Sequence, residues 1–248
     1  MDSRTASPTD AKDRLIVALD VESVADAERL VDRLQGLVTR FKIGSQLFTA
    51  AGPVAIERAL KRGFRVFLDL KYHDIPNTVT GAVREATRLG VFMLNVHASG
   101  GVAMMRAAAE SAAKAAKEFA LPRPLVLGVT VLTSLDRRSL ETEVGVLGAV
   151  PAHVLRLARR AREAGLDGCV ASPQEIGPLR LGLGPRWVIL TPGIRPAERS
   201  DDQMRTATPA AAIRAGADYL VVGRPITAAP DPAAAARAIL EDVGTALR

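Results

Sequence analysis

Between residues 67 and 78 the chain reads Phe67-Leu68-Asp69-Leu70-Lys71-Tyr72-His73-Asp74-Ile75-Pro76-Asn77-Thr78, its densest gathering of groups able to do chemistry. Side chains alternate faces along an extended strand, so Asp69 and Lys71 should point the same way, about 6.6 Å apart at Cα. Asp74 follows just beyond, and Lys42, near the end of an earlier apolar run, is expected to reach the same region. Two cations and two anions in one partly desolvated place are costly unless they satisfy one another. A Schiff-base lysine needs an apolar pocket or a neighbouring cation to lose its proton. Lys71 instead has carboxylates on both sides in sequence, which should keep its amine cationic. That suits a proton donor to a strongly basic carbon centre better than an amine nucleophile. A structural salt-bridge network is the alternative, and the choice depends on where the chain places the cluster.

The positioning elements are legible as eight short apolar runs, at residues 15–20, 41–44, 66–71, 92–97, 125–132, 169–172, 187–191 and 219–223. Segments with helical spacing lie between and after them, at 24–35, 46–62, 78–89, 102–119, 151–164, 173–179, 209–215 and 232–247. Runs that are nearly all apolar, instead of alternating, belong to a parallel sheet buried on both faces. Eight strand-then-helix units in 248 residues give the count of a single-domain (β/α)₈ TIM barrel spanning 14–248, with residues 1–13 as a flexible tail. A doubly wound open sheet also alternates, but its Gly-rich phosphate turn is missing after the first run, which reads Leu19-Asp20-Val21-Glu22. Barrel active sites sit at the C-terminal strand ends. The polar residues there are Asp20, Lys42, Asp69 with Lys71 and Asp74, Asn95 with His97, Thr133 with Ser134, Ser172, Thr191 with Arg195, and Gly223 with Arg224. Four charges at that end favour chemistry over a merely structural network.

Composition sets the outer limits. Hydrophobic residues are 48% and charged ones 24%, enough apolar surface to offset the entropy of ordering a chain. A single cysteine, Cys169, cannot form an internal disulfide, and no Cys or His pairing has zinc-ligand spacing. No apolar run approaches the ~20 residues of a membrane span, and the polar start lacks a signal-peptide centre, so a cytoplasmic location is expected. The formal charge of +6 raises nucleic-acid binding as one class. Aromatics of only 4% and scattered arginines argue against it and leave attraction of a small anion.

The stretch Asp69–Val79 resembles the signature of the bacterial orotidine 5′-phosphate decarboxylases, enzymes of UMP synthesis. Ordered companions are Val17-Ala18-Leu19-Asp20, Phe41-Lys42-Ile43-Gly44, Val131-Leu132-Thr133-Ser134-Leu135, Thr191-Pro192-Gly193-Ile194-Arg195-Pro196 and Val222-Gly223-Arg224-Pro225. The likeness runs from about Leu15 to Ile226, with Tyr72 where the family often has Phe. It implies a (β/α)₈ homodimer that needs no metal or organic cofactor. Lys71 would protonate C6 of the pyrimidine as carbon dioxide leaves, Asp69 would lie beside the departing carboxylate, and Lys42 and Asp74 would complete an alternating array. Asp74 and Thr78 would reach the neighbouring subunit's site. Lys42 and Asp20 would hold ribose hydroxyls, Thr133 the base, and Arg195, Gln203, Gly223 and Arg224 the phosphate, with Pro192 among the substrate contacts. A related magnesium-dependent sugar-phosphate decarboxylase or aldolase is the alternative. Such enzymes carry a carboxylate metal ligand on the second strand, where this chain has Lys42.

Overall fold

Each apolar run becomes a parallel strand: β1 (Leu15–Ala18), β2 (Arg40–Gly44), β3 (Arg65–Tyr72), β4 (Met93–His97), β5 (Leu125–Val129), β6 (Gly168–Val170), β7 (Val188–Thr191) and β8 (Tyr219–Val222). In the computed structural model, which describes residues 8–196 and 206–248, they pair in chain order and close into a barrel. Closure is made by β1 on β8, with Leu15 opposite Leu220 and Val17 opposite Val222. Helices cross over between consecutive strands, because parallel neighbours cannot be joined by a tight hairpin. Among the described residues no helix is long and apolar enough to cross a membrane.

The alternation of side chains divides the core in two. Outward residues such as Val17, Ile43, Val66, Leu68 and Leu94 pack against the helices. Inward residues, among them Ile16, Phe67, Met93, Leu127, Leu190 and Val221, fill the lumen. On β3 and β4 the inward positions then turn polar toward the C-terminal end, from Phe67 to Asp69 and from Met93 to Asn95. The dry lumen is therefore the floor on which a charged layer rests. At the opposite end, Arg40 pairs with Asp13 and lies over the Phe92 ring, 5.7 Å from its centroid.

Several boundaries differ from the sequence reading. The expected tail of residues 1–13 overlaps a short helix, Ala11–Arg14, whose first turn Asp10 caps by accepting from the Lys12 N–H. The domain boundary between residues 13 and 14 thus falls inside an element packed on the barrel, and residues 1–7 lie outside those described. The expected helix at 46–62 is two helices, Ser45–Ala51 and Pro53–Lys61, broken where Gly52 takes φ 58° and Pro53 brings no N–H. The strand in the run at 125–132 ends at Val129, and that in the run at 169–172 at Val170. Ser172 instead forms a capping box with Glu175 on the turn Pro173–Glu175. The helices Arg137–Thr142 and Arg224–Thr227 are too short to show a periodicity.

Candidate active site

The first four strands deliver the polar layer. Lys42 faces inward from β2, and its ammonium lies 2.9 Å from Asp20 Oδ1, just past β1, and 3.2 Å from Asp69 Oδ2 on β3. Lys71 Nζ donates to the other Asp69 oxygen at 2.7 Å. Asp69 and Lys42 are each only 8% exposed, so neither would tolerate burial alone. Burial by itself would raise the Asp69 carboxyl, but the two ammonium groups and a hydrogen bond from Asn95 outweigh it and hold its pKa below the ordinary value. Burial would likewise lower Lys42, yet Asp69 and Asp20 prevail and its pKa stands raised. Each charge thus stabilises the charged form of its neighbour.

The expectation of regular alternation through Lys71 needs correction. The β3–β4 register shifts between Leu68 and Tyr72, and Lys71 adopts φ 52°, in the left-handed region. For a side-chain-bearing residue that conformation costs about 1–2 kcal/mol. Its backbone N–H is satisfied by Asn95 Oδ1 at 2.8 Å, while Asn95 Nδ2 donates to Asp69 Oδ1 at 2.7 Å. The bulge still aims the amine into the layer, at the opening, where the Lys71 side chain is 35% exposed. Asn95 stands at a strand end in the sequence, but its two contacts depend on the β3–β4 register, which no local pattern displays. Gly44 was another silent position: a Cβ there would lie 2.8 Å from Lys42 Nζ and 3.2 Å from Asp20 Oδ1. Its signal was its place two residues after Lys42, on the same face of β2.

Above the layer is a cavity of about 400 Å³, lined by Asp20, Lys42, Asp69 and Lys71 on one side. Apolar groups, including Val129, Val131 and Leu190, form part of the wall, and Thr133, Pro192, Arg195, Gly223 and Arg224 also line it. Arg195 is 7% exposed, on a loop fastened by its own N–H to the Ala207 carbonyl at 3.0 Å. The His73 and His97 rings lie against each other, tilted by 38° with centroids 5.4 Å apart. Burial, with His73 and Lys71 adding to it against Asp69, lowers the His97 pKa.

Most of the site residues read from the sequence therefore meet around one cavity. Asp74 and Thr78 do not. Both are exposed, on the loop and first turn leading into the helix Pro76–Arg88, and neither lines the cavity of its own chain. The idea that all four charges gather in one chain's pocket is corrected accordingly, since Asp74 Oδ1 accepts only the adjacent Ile75 N–H among the described hydrogen bonds. Ser172 and Thr191 are fully buried away from the cavity lining. Gln203 lies outside the described residues.

Comparison with known proteins gives a consistent assignment. The sequence model of the orotidine 5′-phosphate decarboxylase / HUMPS family matches residues 13–239. An orotidine 5′-phosphate decarboxylase of Moorella thermoacetica is 58% identical over 234 residues, covering 94% of this chain and 93% of that protein. One from Halorhodospira halophila is 54% identical, covering 94% and 97%. Among solved structures, orotidine 5′-phosphate decarboxylase from Lactobacillus acidophilus superposes with a TM-score of 0.81 at 35% identity, covering 92% of this chain and 98% of the other. With the closed barrel and the ionic layer at its mouth, these likenesses establish that the chain belongs to the orotidine 5′-phosphate decarboxylase / HUMPS family.

Proposed function

We propose that the chain converts orotidine 5′-phosphate to UMP and carbon dioxide in pyrimidine biosynthesis, with Lys71 as the proton donor to C6. The observation that carries this reading is the Lys71 amine, fixed 2.7 Å from Asp69 at the opening of a cavity also lined by Arg195 and Arg224. When the C6–carboxylate bond breaks, its electron pair stays on C6 in the plane of the ring, where no electron sink is available. An ammonium already aimed there stabilises charge that appears only late in the reaction, and its proton then forms the C6–H bond. Asp69 both holds that amine and would face the substrate carboxylate. In this reading Lys42 and Asp20 hold the ribose hydroxyls, Thr133 contacts the base, and Arg195, Gly223 and Arg224 hold the phosphate, with Pro192 among the substrate contacts. Phosphate binding is remote from the breaking bond and can offset desolvation at the reacting centre.

Asp74 and Thr78 are best explained as contributions to the site of a second copy in a homodimer. Their exposure, together with that of Ile75 at 66% beside them, supports this arrangement. The magnesium-dependent sugar-phosphate alternative is disfavoured by Lys42, whose ammonium occupies the space between the two carboxylates a divalent cation would need. The deciding test follows the loss of orotidine 5′-phosphate absorbance with EDTA-treated protein. Wild type should turn over, and Lys71→Ala should lose at least about a thousandfold in kcat while remaining folded, since both the acid and its charge are gone. Turnover by Lys71→Ala at the wild-type rate refutes the mechanism, and a strict magnesium requirement restores the alternative.

A further inference from the structure

We infer that Asn95 is a positioning residue for this reaction, one amide that fixes both the backbone of Lys71 and the carboxylate of Asp69. The inference rests on the decarboxylase reading above and assigns a group which that reading leaves without a role.

Asn95 is 1% exposed, on β4 directly behind the charged layer. Its orientation is determined by chemistry. The Lys71 backbone N–H can only donate, so the oxygen of the amide must meet it, at 2.8 Å. The nitrogen is then turned to Asp69 Oδ1, at 2.7 Å, and a carboxylate can only accept. The same Asp69 oxygen receives Lys71 Nζ at 2.7 Å. A closed circuit results: Lys71 backbone to Asn95, Asn95 to Asp69, and Asp69 back to the Lys71 amine. Left-handed backbone at a lysine persists only where its surroundings over-determine it. Here the restraint is a buried amide on the neighbouring strand, so the amine's location is set from β4 as much as from β3.

Two substitutions test this. Asn95→Leu keeps the branched shape and heavy-atom count of the side chain, with somewhat more bulk, and removes both hydrogen bonds. It should lower kcat for orotidine 5′-phosphate by about tenfold or more, because a buried bond to a charged group is lost. The KM, and the Kd for UMP, should stay within about threefold of wild type, since neither binding contact set includes Asn95. Asn95→Asp is nearly isosteric and gives a sharper signature. Protonated, the new carboxyl can still accept from the Lys71 N–H and donate to Asp69. Ionised, it opposes Asp69 directly. The variant should therefore work at the acid end of the range and lose activity with rising pH, a descending limb absent from wild type. A purely structural Asn95 would not generate that limb. The inference is overturned by a wild-type pH profile in Asn95→Asp, by a kcat of Asn95→Leu within threefold of wild type, or by losses proportional only to unfolded protein. Wild-type protein unable to turn over orotidine 5′-phosphate would instead remove the underlying decarboxylase reading, and this inference with it.

Discussion

Gly44→Ala should damage catalysis without damaging the fold. Gly44 ends β2 with φ −96° and ψ −175°, extended backbone that alanine adopts freely. Alanine there even lowers the entropy of the unfolded chain, a gain of about 0.4–1 kcal/mol. The added methyl, however, would lie 2.8 Å from Lys42 Nζ and 3.2 Å from Asp20 Oδ1, where ordinary contact begins at 3.4 Å. The ammonium must retreat by about 0.6 Å, and it is held by Asp20 at 2.9 Å and Asp69 at 3.2 Å. The tip of a lysine is flexible, but a move of that size away from the methyl stretches at least one of these two bonds. Loss of one charge-assisted bond is worth about 1.5–3 kcal/mol, which corresponds to roughly 10- to 100-fold in kcat/KM. The assay is steady-state loss of orotidine 5′-phosphate absorbance beside a thermal melt. A kcat/KM within about twofold of wild type, with Tm unchanged, would show that the Lys42 position is not limiting and refute the steric reasoning.

Arg224→Ala should weaken binding of UMP far more than binding of uridine, and equal losses would sink its assignment to the phosphate. Lys71→Ala and Asp74→Asn, each poor alone, should recover activity on mixing, because some mixed dimers would carry one intact site. No recovery after demonstrated subunit exchange would argue against shared sites. His97 and His153 both have lowered pKa values in the folded chain, each chiefly through burial. The unfolded chain therefore takes up protons more readily, so stability is present above the ordinary histidine value of 6.5 and is lost as the pH falls below it. His97→Gln should shallow that decline, and a wild-type Tm that stays flat from about pH 7 to 5 would contradict it.

The barrel was legible because each strand buries both faces and so reads as a continuous apolar run, with polar residues marking its C-terminal end. Asp69 and Lys71 could be found from spacing, and Asp20, Lys42, Thr133, Arg195 and Arg224 from that address. What escaped depends on register between strands. The bulge at Lys71 carries no glycine to announce it, and Asn95 acquires its partners only when β4 pairs with the shifted end of β3. The break at Gly52-Pro53 was signalled by the dipeptide and overridden by the helical spacing on either side. Spacing alone groups Asp74 with the other three charges, because sequence distance does not say which way a loop faces; only the family resemblance directs it to a neighbouring subunit.

Among the described residues the greasy plug of Phe67, Met93, Leu127 and Leu190 closes the lumen beneath the lysines and carboxylates, and the cavity lies above them. A ligand large enough to cap that cavity converts a half-wet ionic lattice into a dry one in the act of seating. The attraction between its members then strengthens at once, as the surrounding dielectric falls. The barrel itself need not move for this, so the fold can remain stiff while its electrostatics respond to occupancy.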